Sequence, residues 1–390
     1  MTDAVIVATA RTPIGRARKG TLVGVSDLEM ARVAVGAAIE RSGIPAADID
    51  DIVVAESLAG GGVMARHLAV QLGLTHVPGL ADNRHCAAGL SAVQIAASSI
   101  RAGMDQVVVA GGTESMSTMI TSLKPPPFGG DPVPWFPETH PATPDAPPFD
   151  MSITVGHNAA KEMGLTRRDL DEWAVYSQNQ AIESIDNGWF VDQIVPIEAP
   201  QADGSTVTFS VDEFPRRGTT LEGLADLKPL HPEIEGFDIT AGNAGGLNDA
   251  AAALVVTSSD YAAAHGLAPL ARIVSWASVG VEPARTGMAP TVAIPKALQR
   301  AGLSIADIDL FEVNEAFNSV PIATHRTLGI DPSIMNVNGS GCSLGHPIAC
   351  TGARMTITMA HELRRRGLSK GVVSMCAGGG MGSALVLEVL

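Results

Sequence analysis

AIERSGIPAADIDDIVVAE (residues 38–56) and ALQRAGLSIADIDLFEVNE (residues 297–315) align with each other without a gap. In each, helix-favouring residues stop at a glycine (Gly43, Gly302), an ADID turn follows, and an apolar strand comes next. A glycine at such a stop takes the left-handed conformation that ends a helix. A second pair has the same grammar: SIRAGMDQVVVAGG (99–112) and ELRRRGLSKGVVSMCAGG (362–379), with Gly103 opposite Gly367. Both read as helix, glycine stop, then a β-branched strand entering a glycine turn. Two agreements in the same order predict two homologous α/β halves.

Composition fits that reading. A chain of 390 residues is too long for one ordinary core, so two or three packed units are expected. It is 46% hydrophobic but only 4% aromatic, so Val, Ile, Leu and Ala must build the core, as in buried α/β sheets. The net charge of −15, with no dominant Lys/Arg run, argues against nucleic acid or an anionic membrane as the main partner. No apolar run reaches the ~18–20 residues of a membrane span. The start, MTDAVIVATARTPIG, reads as a strand running into a turn and lacks a basic, cleavable leader. Cys86, Cys342, Cys350 and Cys376 form no CxxC pair. A zinc knuckle or other metal site is therefore not expected, nor a disulfide scaffold. Free thiols in a reducing cytoplasm are.

The texture changes between the halves. KPPPFGGDPVPWFPETHPATPDAPPFD (124–150) holds ten prolines and predicts a surface excursion, neither regular helix nor central strand. Beyond it, SITVGHNAAKEMGLTRRDLDEWAVYSQNQAIESIDNGW reads as helical, broken at Gly164 and restarted by a Thr166 cap with Asp169 at its third position. The expected units are residues 1–117 plus about 245–265 as one half, 118–244 as an inserted loop domain covering a site, and 266–390 as the other half.

Four segments carry chemistry. HCAAGLSAVQIAASSIRAG places Cys86 at the start of a helix of small residues, where the helix end is expected to lower a thiol pKa from ~8.5 towards ~7. NVNGSGCSLGHPIACTGAR (336–354) sets His346 in a glycine turn ahead of another such helix. SMCAGGGMGSALVLE (374–388) ends a strand at Cys376 and enters a glycine turn whose N–H groups suit an oxyanion. FEVNEAFNS (311–319) puts Asn314 and Glu315 directly after an apolar strand. An isolated cysteine or histidine is ordinarily a packing residue. All four pieces, however, come from carboxyl ends of strands, where α/β sheets gather ligands.

With VATARTPIGR (7–16), GGTESMS (111–117), TAGNAGGLNDAAA (240–252) and CAGGGMG (376–382), the sequence resembles the thiolase family over essentially its whole length. The resemblance implies an α/β thiolase fold: two duplicated βαβαβαββ halves in a five-layer αβαβα arrangement, with a loop domain inserted in the first. It implies ping-pong acyl transfer between coenzyme A thioesters, with coenzyme A and acyl-CoA as substrates and no cofactor or metal. Cys86 is then the nucleophile, His346 the base that takes its proton, and Cys376 the acid/base at the substrate α-carbon. Asn314 holds a water that completes one oxyanion hole with His346, and the N–H groups of Cys86 and Gly378 form the other. Arg216, in DEFPRRGTTLEGLADLKP (212–229), falls on the segment that meets the adenine, with Arg217 as its neighbour. Gly245, Phe317 and His157 are further candidate coenzyme A contacts, and Met151 and Thr286 candidate acyl-pocket residues. A homodimer or homotetramer is implied.

The match departs from the family in places that bear on substrate. In MSITVGHNAA (151–160), Met151 stands where short-chain biosynthetic members carry a pocket histidine, and His157 falls on a glutamate position. Gly245 replaces a serine that contacts the pantetheine arm, a loss worth ~1 kcal/mol at most. Thr286 stands where a methionine usually lines the acyl pocket. Cys342 and Cys350 replace small apolar residues; by the half-to-half alignment Cys350 corresponds to Cys86, and it reads as a packing residue or as a redox-sensitive thiol. These departures favour a degradative-type 3-ketoacyl-CoA thiolase over a short-chain acetyl-CoA acetyltransferase. A ketoacyl synthase, which needs a second histidine in place of Cys376, and a non-catalytic acyl-CoA or lipid binder are the remoter alternatives.

Overall fold

The computed structural model describes residues 2–58 and 62–390. The first half contains β1 (Ala4–Arg11), α1 (Asp27–Ser42), β2 (Asp51–Ala55), α2 (Met64–Gln71), β3 (Leu80–Asp82), α3 (Ala88–Ala102) and β4 (Val107–Ser115). An intervening segment carries the long helix α4 (Arg167–Asp186), after which β5 (Asn248–Ser258) returns to the first half. The second half contains β6 (Ala271–Gly280), α5 (Pro290–Ala301), β7 (Leu310–Val313), α6 (Ser319–Leu328), α7 (Ile348–Arg366), β8 (Lys370–Ala377) and β9 (Met381–Glu388).

Strand order repeats between the halves: β1-β5-β4-β2-β3 in the first, β6-β9-β8-β7 in the second. In each, parallel pairing at one edge (β3 with β2 and β2 with β4 in the first, β7 with β8 in the second) gives way to antiparallel neighbours. The halves join edge to edge through β1 and β6, at Val5–Arg272 and Ile6–Ala271. The counterpart of β3 is reduced to a single parallel bridge between Phe311 and Met335. The next residue, Asn336, takes a φ of +51° and turns the chain away. Its amide then bonds both backbone groups of Val313, at 2.8 and 2.9 Å, in place of a strand partner. The aligned helix ends agree as well: α1 and α5 stop at Gly43 and Gly302 (φ +65° and +69°), α3 and α7 at Gly103 and Gly367 (φ +72° and +66°).

Five layers result. Met30, Ala34, Ala38 and Leu68 of α1 and α2 cover one face of the first sheet at Ile52, Val54 and Val109. Between the sheets lie α3 and α7, through Leu90, Val93, Ala97, Ala353 and Ile357. On the far face α5 and α6 pack Ile294, Leu298, Val320 and Ile322 against Val313, Val372 and Val386. The two central helices cross so closely that a Cβ on Gly352 would stand 2.2 Å from the Leu90 nitrogen, and one on Gly89 2.4 Å from the Ala349 oxygen. Small residues are required there by volume.

The intervening segment holds a short hairpin (Ser122–Lys124 with Val133–Trp135) and a second one (Ile197–Pro200 with Thr206–Phe209). Helix α4 begins with a capping box in which Thr166 and Asp169 bond each other's backbone. Instead of a uniform α-helix, residues Ser152–His157 form a π-helical turn before Asn158–Glu162. The segment is tied to β1 by a buried bidentate pair, Arg11 with Asp212, at 2.8 and 2.9 Å.

Candidate active site

Cys86 lies two residues ahead of α3. A tight turn lifts it there: His85 takes a φ of +48°, and its N–H is held by Asn83 Oδ1 at 2.9 Å. The backbone N–H groups of Gly378, in the glycine turn after β8, and of Cys86 itself face the Cys86 sulfur closely enough to favour its charged form. Cys86 is only partly covered, while Cys376, at the end of β8, is fully buried. The two thiols are near enough that charge on Cys86 raises the pKa of Cys376 further, beyond the rise that burial causes.

The expected acidic nucleophile is not found. Burial pushes the Cys86 thiol up to about 11, the two N–H groups pull against this, and the Glu114 carboxylate adds to the rise. The first helical residue of α3 is Ala88 and its N-cap is Ala87, so Cys86 precedes the helix rather than capping it. Desolvation outweighs the dipole here.

His346 follows Gly345 in the turn before α7. Its N–H bonds Asn248 Oδ1 at 3.0 Å, and its Nδ1 lies 2.7 Å from Thr351 Oγ1. The Thr351 hydroxyl is also 2.7 Å from the Pro347 carbonyl, which can only accept its single proton. This bonding pattern assigns the Nδ1 proton to His346, donated to Thr351, and leaves Nε2 as the unprotonated, accepting nitrogen. Burial, helped by Arg354, lowers the imidazole pKa to about 4, so the ring is neutral at pH 7. Asn314, at the end of β7, sets its amide Nδ2 3.4 Å from Nε2. Its Oδ1 is buried without a hydrogen-bond partner. Glu114 links the two groups of residues: it accepts the Ala349 N–H at 3.2 Å, three residues past His346, while its charge acts on Cys86. Burial raises the Glu114 carboxyl to about 7.

Two thiols with an N–H donor from one turn, and a neutral imidazole beside an amide from another, suit acyl transfer through a thioester. Residues 4–260 match the family model for the thiolase N-terminal domain, and residues 267–389 match that for the thiolase C-terminal domain. The chain belongs to the thiolase family. It is 42% identical over 405 residues to the acetyl-CoA acetyltransferase of Cupriavidus necator, with all of both chains covered. It is 40% identical over 410 residues to the 3-ketoacyl-CoA thiolase of Bacillus subtilis, again with all of both covered. Among solved structures, the acetyl-CoA acetyltransferase of Bacillus anthracis superposes with a TM-score of 0.90 at 38% identity, covering 100% of this chain and 99% of that one. Human mitochondrial 3-ketoacyl-CoA thiolase in complex with CoA gives 0.90 at 33%, covering 100% and 98%. The protein is thus an acyltransferase of thiolase type.

The remaining candidates line this thiolase's turns in different ways. A Cβ on Gly378 would stand 3.6 Å from Met151 Sδ, which places Met151 beside the turn that holds the donor N–H. Thr286 is fully buried and turns its hydroxyl to the backbone, donating to Pro283 O at 2.6 Å and accepting the Gly380 N–H at 3.0 Å. Its hydroxyl therefore steadies the glycine turn. Gly245 donates its N–H to Ala316 O at 2.9 Å, and Phe317 lies over Gly156 of the π-helical turn, where a Cβ would meet its ring at 2.8 Å. His157 stacks on Phe237 at 5.0 Å. Arg217 forms an ion pair with Asp186, whereas the Arg216 guanidinium lies over the Phe214 ring at 5.6 Å. Cys342 and Cys350 are both buried, as packing residues are.

Three contributors escaped the sequence reading. Thr351 and Asn248 hold His346 but sit among small or polar residues that no pattern singles out. Thr139, in the proline-rich stretch, brings its methyl within 3.9 Å of the Gly378 Cβ position and its carbonyl within 3.1 Å of that of Gly379. The excursion thus folds back over the glycine turn. His140 beside it bonds Thr139 Oγ1 at 2.7 Å and Ala146 O at 2.9 Å.

Proposed function

We propose that the protein cleaves 3-ketoacyl-CoA with coenzyme A, and runs the reverse Claisen condensation, through an acyl-enzyme on Cys86. The observation that carries this is the meeting of Cys86, the Gly378 N–H and Cys376, together with a neutral His346 whose unprotonated Nε2 faces the Asn314 amide. The Cys86 proton passes to Nε2 as the sulfur attacks the 3-keto carbonyl. The N–H groups of Cys86 and Gly378 hold the oxygen that gains charge. The C2–C3 bond breaks, its electron pair moves to the enolate of acetyl-CoA, and Cys376 protonates C2. His346 and Asn314, the latter through a water, hold the enolate oxygen. One such donor is worth roughly 3 kcal/mol. Coenzyme A then attacks the Cys86 thioester, a nearly thermoneutral exchange, and releases the shortened acyl-CoA.

Arg216, Gly245, Phe317 and His157 are proposed to border the coenzyme A channel, with Met151 and Thr286 near the acyl group. Arg216 supplies a local cation on a strongly acidic chain, which an anionic nucleotide requires. Every step uses side-chain and backbone groups, so no cofactor or metal is invoked. A cytoplasmic homodimer or homotetramer fits four free thiols and an edge strand, β3, that carries exposed Leu80 and lies near exposed Ile120 and Trp135.

A second reading is a short-chain acetyl-CoA acetyltransferase. The position of Met151 and Thr139 beside the Gly378 turn favours it, as do the names of several relatives. Thiolysis of acetoacetyl-CoA against 3-ketooctanoyl-CoA separates the two. Turnover of both supports the broader reading; turnover of the four-carbon substrate alone supports the second; turnover of neither sinks both.

A further inference from the structure

Glu315 directly follows Asn314 and is fully buried, yet among the described residues no lysine or arginine pairs with it. This sets it apart from Glu312 on the preceding strand β7, which is paired with Arg354. Its carboxylate instead collects four donors. Oε1 accepts from Trp173 Nε1 at 2.9 Å and Asn336 Nδ2 at 2.8 Å. Oε2 accepts from Ser177 Oγ at 2.7 Å and the Cys342 N–H at 3.1 Å. These donors come from three places: α4 of the intervening segment, the left-handed turn at Asn336, and the turn that leads into His346. Only an ionised carboxylate can accept all four. Burial raises its pKa and the donors oppose that rise. A buried charge held by neutral donors alone is costly unless the donors are fixed.

Its neighbours show what the arrangement fixes. Asn314 Oδ1 has no hydrogen bond of its own, so the amide is oriented by what surrounds it. Gly341 passes directly over that oxygen; a Cβ there would stand 2.6 Å from Oδ1. The N–H anchored on Glu315 belongs to the very next residue, Cys342. The same turn continues to His346, whose ring faces the Asn314 amide. If the Cys342 anchor is lost, Asn314 and His346 move relative to each other.

We infer that Glu315 is a positioning residue for the carbon–carbon step: its carboxylate sets the spacing between Asn314 and the His346 turn, and so the donor pair for the enolate oxygen. This rests on the acyl-enzyme reading above. It makes a selective prediction, because acylation of Cys86 by acetyl-CoA needs His346 only as a base at Nε2 and never the Asn314 donor, whereas the carbon–carbon step needs both groups held on one oxygen.

Glu315→Gln keeps the shape but turns an amide NH2 toward one pair of donors. Expected are full acylation of Cys86 by acetyl-CoA at a rate within about threefold of the unaltered enzyme, and kcat for acetoacetyl-CoA thiolysis lower by on the order of a hundredfold, with KM little changed. Trp173→Phe and Ser177→Ala each remove one donor and keep the carboxylate. They should show the same selective loss, weaker, and they decide the matter if Glu315→Gln does not fold. Unchanged kcat in these variants, or equal loss of acylation and thiolysis, overturns the proposal while leaving the acyl-enzyme reading intact. Failure of the unaltered protein to acylate at all overturns that reading and this inference with it.

Discussion

His346 is held at both ends, its N–H on Asn248 and its Nδ1 on Thr351, so the unprotonated state of Nε2 depends on one hydroxyl. Thr351→Val keeps the shape and leaves the Nδ1 proton without an acceptor, a penalty of ~1–3 kcal/mol that also releases the other tautomer. Steady-state thiolysis should show kcat down about tenfold or more, with Thr351→Ser near the unaltered value; equal rates in all three proteins would remove Thr351 from the account. Cys86 gives a second test. With its thiol raised to about 11, the thiolate fraction at pH 7 is small and grows through the whole alkaline range. Alkylation by iodoacetamide, followed by loss of activity, should therefore rise about tenfold per pH unit between pH 7 and 10. A plateau near pH 7–8 would mean an acidic thiol after all. At this scale the identities of Cys86, His346, Asn314 and Cys376 were legible because each stands in a distinctive glycine-rich or strand-end stretch. Their electrostatics were not: the rule that a helix end acidifies a thiol counts the dipole and cannot count burial. Thr351 and Thr139 act through contacts that local sequence does not encode.

Helices α3 and α7 owe their crossing to Gly89 and Gly352, and this sets up a paired test of helix glycines. Alanine normally stabilises a helix interior by up to ~1 kcal/mol over glycine. At Gly36 in α1 the added Cβ meets only Leu72 Cδ2 at 3.5 Å, so Gly36→Ala should raise the urea midpoint slightly. At Gly352 the Cβ would sit 2.2 Å from a backbone nitrogen, and the clash reverses the sign. Gly352→Ala should destabilise by on the order of 3 kcal/mol or more. A rise in the midpoint for both variants would contradict the close crossing. The duplicated helix–glycine–strand units were readable because αL caps and apolar strands leave strong local signals. The missing counterpart of β3 was not, since it turns on the side chain of Asn336 taking over strand pairing at Val313. The π-helical turn at Ser152–His157 likewise has no pattern distinct from an ordinary helix.

Across the whole molecule, central helices from both halves share one core, β1 meets β6, and the Arg11–Asp212 pair binds the intervening segment to the first strand. The halves are therefore expected to unfold together. Tryptophan fluorescence and far-UV circular dichroism should report coincident urea transitions. Asp212→Asn leaves a buried arginine without its charge partner and should lower stability by ~3–5 kcal/mol without splitting the transition; two separate transitions would show independently stable halves. The duplicated plan and the function class were visible from the sequence at this scale, whereas the folding of the proline-rich stretch over Gly378 and Gly379 depends on contacts between segments far apart in the chain. The central claim is that Cys86 carries the acyl group while Cys376 serves only the α-carbon. Intact-mass measurement after incubation with acetyl-CoA tests it most directly. The unaltered protein and Cys376→Ala should each gain one acetyl group, and Cys86→Ala none. An acetyl group retained on folded Cys86→Ala, or absent from folded Cys376→Ala, would contradict it.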